Sequence, residues 1–304
     1  MAPNPRMATA ADLAAVRAVG PWRLARAPAK VNLGLRIVGR RNDGYHLLDS
    51  LIAFATVADH VAIAPAEADA IVIRGPFAAG LAQDDPSDNL ALTAARCFRS
   101  AFGGGPVSIR LWKRLPVAAG IGGGSSDAAA VLRLLASDQG IDHQDPALLA
   151  VALSLGADTP MCLRGTALRA SGIGEVLEAA PALPALPAVL VNPGVPVSTP
   201  SVFRARQGGF STRAWLHSKY DDVTDVAGAL HIFGNDLTAP AIATAPSIGD
   251  VLAALGATSR FAGMSGSGAT CFGLFDSDAE AQQAAAMLQR ARPGWWVAAT
   301  RLNG

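Results

Sequence analysis

The stretch that most restricts this chain is residues 115–130, LPVAAGIGGGSSDAAA. An apolar strand pattern over residues 106–112 runs into it, and a helical pattern over residues 125–136 runs out. Pro116 stands near its start, Gly120, Gly122, Gly123 and Gly124 form its middle, and Ser125 and Ser126 begin the helix. Glycine lacks a Cβ, so a backbone rich in it turns sharply and brings successive N–H groups against a ligand. The first N–H groups of a helix have no partner within it, and the helix dipole adds positive potential there. Such a loop feeding a helix N-terminus is suited to hold phosphate. A Walker loop is excluded because its lysine is missing. A dinucleotide fingerprint wants an acidic residue ending a second apolar strand, and neither Asp138 nor Asp142 does so. On these residues alone a tight turn, a dinucleotide loop and another kind of phosphate loop remain open.

The chain has 304 residues, enough for two domains or one large one with an ample core. Hydrophobic residues make up 51% and charged residues 16%, a globular balance. A formal net charge of +1 gives no electrostatic case for nucleic acid or an anionic membrane as partner. Cys97, Cys162 and Cys271 are odd in number, far apart and set in apolar stretches. They read as buried thiols of a cytoplasmic protein, and no metal-ligand spacing joins them. Prolines 181, 184 and 187 break the apolar run at residues 177–191, so it is no membrane span. Residues 1–20 are Ala-rich without a signal-like core. They read as a short appended helix or an over-extended start, with Met7 an alternative initiator.

In chain order, Val31, Leu33, Leu35 and Ile37 alternate with Lys30, Asn32, Gly34 and Arg36, the pattern of a half-buried strand. Turn chemistry at residues 39–44 precedes Tyr45-His46 and strands at 51–56, 61–64 and 70–74. Asp84–Ser87 is expected to be loop, and Asp88 to cap a helix over 89–101. Asp145, Pro146 and Gly156 bound a helix over 146–155, after which Asp158 reads as a turn residue at a helix C-terminal end. Strands are expected at 163–170, 176–177, 188–191, 269–275 and 296–302. Helices are expected after Ser198-Thr199-Pro200 and over 248–255 and 279–292, and residues 204–225 read as an uneven, variable loop with some helix. Strands and helices mix without regular βα alternation, which indicates an α+β fold. The expected division is an extension (1–21), a first domain (22–165) and a second (166–304).

Two residues stand out for chemistry. Lys30 lies on the polar face of its strand beside Asn32, where the plain reading is a solvated lysine. Asp158 sits between apolar segments, and a carboxylate at a helix C-terminal end meets the unfavourable end of the dipole. It therefore needs a partner, and Lys30 can be one. Tyr45-His46 can stack on a base and hydrogen-bond it, or be a partly buried Tyr and a surface His. Residues 263–268, GMSGSG, read as a bulge or a second ligand-facing loop.

Together these stretches resemble the GHMP kinase superfamily. Residues 116–128 are similar to its phosphate loop and residues 261–268 to its C-terminal glycine motif. Further similarity lies in residues 27–33, 43–46, 155–160 and in Pro193-Gly194…Thr199-Pro200…Phe203. It spans nearly everything from Arg23 onward. The resemblance implies two α+β domains with the active site in the cleft between them, ATP and Mg²⁺ as cofactors, and a cytidine diphosphate sugar alcohol as substrate, phosphorylated on its C2 hydroxyl. By it Asp158 is the general base, and Lys30 orients Asp158 and steadies charge on the transferring group. Pro116, Gly120, Gly122, Gly123, Gly124, Ser125 and Ser126 hold the ATP phosphates, with Asn89 and Leu90 beside the adenine. Tyr45 and Phe203 sandwich the cytosine, His46 reads its edge, and Asn32, Thr199, Gly266 and Ser267 support the substrate. A monomer or weak homodimer is expected. Rivals are another small-alcohol kinase of the superfamily, such as a mevalonate or homoserine kinase, and a non-catalytic nucleotide-binding regulator. The superfamily member with this pattern usually has Asn after the two serines, where this chain has Asp127. A carboxylate there repels phosphate unless Mg²⁺ or a basic side chain neutralises it.

Overall fold

The structure, a computed structural model, describes residues 21–81 and 85–303. The expected extension, apart from Pro21, and the first residue of the expected Asp84–Ser87 loop lie outside the described residues. Two sheets carry the fold. In the first, β1 (Arg23–Arg40) and β2 (His46–Pro65) pair antiparallel along their length. The far half of β2 pairs with β4 (Val107–Trp112), which pairs in parallel with β3 (Ala70–Arg74). Its near half pairs with β5 (Leu168–Gly172), which pairs with β6 (Val176–Ala179). The second sheet has the order β10 (Trp296–Leu302), β7 (Leu186–Asn192), β9 (Cys271–Leu274), β8 (Phe261–Met264), all antiparallel. The two meet where Leu302 pairs with Ala55.

Helices cover the sheets. Beside the first lie α1 (Leu90–Phe102), α2 (Gly123–Asp138), α3 (Pro146–Ser154) and α4 (Asp158–Arg164). They share a core with the sheet in which Ile52, Ile63, Phe98, Ile109, Leu111 and Leu132 are fully or almost fully buried. Each such side chain contributes roughly 1.5–3 kcal/mol relative to exposure. The remaining helices are α5 (Thr199–Ala205), α6 (Val223–Phe233), α7 (Thr238–Thr244), α8 (Ser247–Gly256) and α9 (Asp278–Ala291). Among the described residues no helix is long and apolar enough to cross a membrane.

Several expectations change. The strands expected at 51–56 and 61–64 are one continuous strand, because the polar pair Asp59-His60 that breaks the pattern is itself buried. The cap of α1 is Asn89, whose side chain accepts from the Ala91 N–H, and not Asp88. Residues 163–170 are not one strand. The α4 helix runs to Arg164 and stops at Gly165 in a left-handed conformation before β5 begins. The helix expected somewhere within residues 204–225 begins only at their end, as α6, where Asp222 accepts from the Asp225 N–H. The expected domain division at 165/166 leaves β5 and β6 on the far side, whereas both are hydrogen-bonded into the first sheet. Strand β1 is buried on both faces from Ala29 to Leu35, so Lys30 and Asn32 do not face solvent. Register shifts lie between Pro28 and Lys30 and between Asn32 and Gly34. Such bulges re-aim side chains.

Candidate active site

The glycine loop leaves β4 and ends at α2. Gly122 takes a left-handed φ of 63° as the N-cap of α2, and among the described residues no side chain caps the helix. Its first N–H groups are thus available to an anion. Packing explains the glycines. A Cβ on Gly122 would lie 3.2 Å from the Lys30 Cβ and 3.3 Å from its Cε. A Cβ on Gly120, where φ is 73°, would lie 2.9 Å from the Ser265 carbonyl oxygen and closer still to that of Gly268. Main-chain bonds fix the loop from both sides. The Lys30 N–H donates to the Ile121 carbonyl (2.9 Å) and the Thr270 N–H to the Ala119 carbonyl (3.2 Å). Ser126 is expected to hold phosphate, but its hydroxyl donates to the Pro28 carbonyl at 2.7 Å and its N–H to Gly122. It anchors α2 on β1, leaving Ser125, partly exposed, as the loop hydroxyl. Pro116 is buried.

Facing the loop is the ion pair anticipated from sequence. Lys30 Nζ lies 2.9 Å from Asp158 Oδ2, the lysine side chain 6% exposed and the aspartate 40%. Asp158 is not at a helix C-terminal end. The chain breaks at Gly156 and restarts, so Asp158 is the first residue of α4, the end of a helix dipole that favours a carboxylate. Beside the pair, Asn32 donates to the Ser50 hydroxyl (2.8 Å), and the Asn32 N–H donates to the Ser265 hydroxyl (3.0 Å). Ser265 in turn donates to the Gly120 carbonyl at 3.0 Å. The second glycine stretch thus holds the first in place. Asn235 donates to the Met264 and Gly266 carbonyls, and the Thr199 and Ser267 hydroxyls are 2.8 Å apart.

Two cavities flank the loop. One, about 340 Å³, is a cleft lined among others by Lys30, Asn32, Asp158, Gly120, Gly122, Gly123, Thr199, Phe203, Gly266 and Ser267. The other, about 320 Å³, is lined by Asn89, Leu90, Lys113, Gly124 and Asp127, with Ile73, Leu81, Asp85 and Asp88. A larger hollow, about 770 Å³, lies at residues 141–144 and 163–180 and gathers none of the expected site residues. Around the expected aromatic clamp the placement differs. Phe203 lines the cleft, but its ring meets His46, with centroids 5.1 Å apart, while Tyr45 is 61% exposed and lines neither cavity. Burial, then Arg40 and Arg206, push the His46 pKa below its ordinary value, so the ring is neutral near pH 7.

Sequence reasoning missed Lys113 and Asp59. Lys113 Nζ lies 2.8 Å from Asp127 Oδ2 and 2.5 Å from Asp59 Oδ2, all three side chains almost wholly buried. The basic partner that Asp127 required is therefore Lys113. The signal was a lysine set between an apolar strand and an apolar loop.

The model of the GHMP kinase N-terminal domain matches residues 89–166 and that of the GHMP kinase C-terminal region matches residues 220–293. The chain belongs to the GHMP kinases and is a phosphotransferase of that family. Among its relatives, the 4-diphosphocytidyl-2-C-methyl-D-erythritol kinase of Paramagnetospirillum magneticum is 51% identical over 279 residues, covering 91% of this chain and 97% of that one. The kinase of the same name from Paracoccus denitrificans is 50% identical, covering 91% and 95%. A crystal structure of 4-(cytidine 5′-diphospho)-2C-methyl-D-erythritol kinase superposes with a TM-score of 0.75 at 37% identity, covering 93% of this chain and all of that one. Homoserine kinase from Cytophaga hutchinsonii, at 19% identity and a TM-score of 0.63, shares the fold.

Proposed function

We propose that the protein transfers the γ-phosphoryl group of ATP to the C2 hydroxyl of 4-diphosphocytidyl-2-C-methyl-D-erythritol, a step of isoprenoid precursor synthesis. The observation that carries this is the Lys30–Asp158 pair, at 2.9 Å, on the wall of a cleft that also contains the glycine loop. Phosphoryl transfer asks of a protein mainly positioning and charge stabilisation. The nucleotide base occupies the cavity at Asn89 and Leu90, its phosphates run along Gly120–Ser125 to the start of α2, and the alcohol lies in the cleft. Asp158 accepts the hydroxyl proton as it attacks. Lys30 fixes Asp158 through Oδ2 and offers positive charge to the transferring group. Asn32, Thr199, Gly266 and Ser267 support the alcohol. Phe203 provides one stacking face for the cytosine, Tyr45 the other, and neutral His46 a hydrogen bond to its edge. Among the described residues no group of three or more His, Cys, Asp or Glu is placed to hold a metal, and Asp127 is engaged by Lys113. Mg²⁺ accordingly enters this proposal as a counter-ion on the phosphates, without a protein cage.

All these residues come from one chain, so a monomer suffices. The free cysteines, two of them buried, suit a cytoplasmic setting. We place the division between the two domains after Ala179, where β6 ends. The decisive assay is ATP-dependent phosphorylation of the cytidine diphosphate alcohol, its uridine analogue, the nucleotide-free methylerythritol phosphate, mevalonate and homoserine. The expected order puts the cytidine compound first in kcat/KM. Equal use of the nucleotide-free alcohol would remove the clamp and favour a mevalonate-kinase-like activity. A catalytically silent regulator would consume none of them.

A further inference from the structure

Lys113, Asp59 and Asp127 form a buried cluster of two carboxylates and one ammonium. Fully ionised, it carries a net charge of −1, which an interior tolerates poorly. The two carboxylates are not equivalent. Asp59 Oδ2 accepts from Lys113, and Asp59 Oδ1 accepts from the Arg114 and Leu115 N–H groups at 2.5 and 2.8 Å. Asp127 Oδ2 also accepts from Lys113, but Asp127 Oδ1 is buried with no hydrogen-bond partner among the described residues. A proton taken up by the cluster therefore belongs on Asp127. Location gives this consequence. Lys113 precedes the glycine loop and Asp127 follows it, so the cluster ties together the two limbs between which phosphate would sit. It also lies directly beneath the loop, since a Cβ on Gly123 would be 3.1 Å from Lys113 Nζ and 3.9 Å from Asp59 Oδ2.

We propose that Asp127 is the positioning residue of the glycine loop, closing it around phosphate through Lys113 and Asp59 only while its free oxygen carries a proton. This rests on the nucleotide assignment made above. In the neutral form the cluster balances one positive against one negative charge and the loop limbs stay joined. Once the proton leaves, an unbalanced negative charge lies under the backbone that must receive a polyanion. Among the described residues, the other titratable groups nearby are His60, next to Asp59 and pushed below its ordinary value by burial and then by Arg114 and Arg26, and Asp85 and Asp88, which line the neighbouring cavity. Burial, offset in part by Lys113 and reinforced by Asp59, pushes the Asp127 carboxyl up to about 8. A raised carboxyl pKa means that the folded state holds the proton longer than the unfolded one. The stabilisation is then complete below about pH 4 and lost as pH rises through about 8.

The test compares wild type with Asp127→Asn, which keeps the shape, an oxygen for Lys113 and a neutral charge. Between pH 7 and pH 9 the KM for ATP of the wild type is expected to rise about tenfold, because the competent fraction falls to about one-tenth. That of Asp127→Asn is expected to change less than twofold, with changes in ATP's own ionisation common to both. Thermal unfolding without nucleotide, over the same range, is expected to show the wild type losing stability relative to the variant. Parallel KM curves would overturn the positioning role. Parallel unfolding curves would overturn the proton assignment, and because they need no nucleotide they decide it even if the phosphate donor proves not to be ATP.

Discussion

Replacing Asp158 by Asn tests the proposed chemistry most directly, because the geometry separates its effect on rate from its effect on folding. The substitution keeps the shape and removes the proton acceptor. Loss of a general base lowers rate by about 10² to 10⁴, which is about 3–5 kcal/mol in the barrier. The fold should notice far less. Asp158 is 40% exposed, so the pair is partly screened, and its contribution to stability lies near the exposed-pair range, about 1 kcal/mol. Lys30→Met removes the buried member, puts a similar apolar chain in its place and leaves a carboxylate that water still reaches. It too should fold, with a comparable loss of kcat. The two residues serve one step, so the double variant should resemble the worse single variant. The measurements are kcat by coupled ADP release, ATP affinity by calorimetry and Tm for all four proteins. A kcat for Asp158→Asn within a few-fold of wild type would refute the base assignment. Losses that multiply in the double variant would refute the shared task.

Three further outcomes follow from the same structure. Gly120→Val forces a side chain against the Ser265 and Gly268 carbonyls at φ 73°, costs about 1–3 kcal/mol, and should lower Tm; an unchanged Tm would contradict the packing of the two glycine loops. A Cβ on Gly124 would meet nothing within 4 Å among the described residues outside its own helix backbone, so Gly124→Val should hold Tm while the KM for ATP rises, and an unaltered KM would contradict the nucleotide path. Phe203→Ala should raise the KM for the cytidine compound by the stacking contribution of about 1–3 kcal/mol, roughly five- to 150-fold, and leave that for ATP within twofold; equal effects on both would place Phe203 outside the substrate site.

Legibility in the sequence depended on how local the responsible physics was. The glycine loop and the helix after it were readable because glycine, apolar periodicity and helix starts act over a few residues. The Lys30–Asp158 pair was anticipated from an argument of electrostatic discomfort, and the partner was right although the premise was wrong. Asp158 begins a helix that could not be foreseen, since it is only seven residues long, Asp158–Arg164, before the left-handed Gly165. The burial of Lys30 was hidden because β1 alternates like a half-exposed strand, and what covers its polar face arrives more than a hundred residues later as the second glycine loop and Asp158. The continuity of β2 was hidden by Asp59, whose polarity reads as a break until Lys113 and the Arg114 and Leu115 N–H groups are found to satisfy it.

The contacts that escaped local reading share one property, which is that they all converge on the glycine loop. Lys30 packs on Gly122, Ser265 and Gly268 on Gly120, Ser126 holds Pro28, and the Lys113 cluster lies under Gly123. A segment with four glycines in five residues, two before α2 and two in its first turn, has little preference for any one conformation and loses much entropy on ordering. Its shape must then be imposed from outside, by β1, by the second glycine stretch and by a buried ionic cluster. A phosphate-transferring site needs that arrangement, because donors aimed at developing charge help only if they are already in place when the charge appears. The same glycines that let main-chain N–H groups approach phosphate therefore require the long-range contacts that fix them. This is why the segment most easily recognised in the sequence depends for its geometry on the residues least easily recognised.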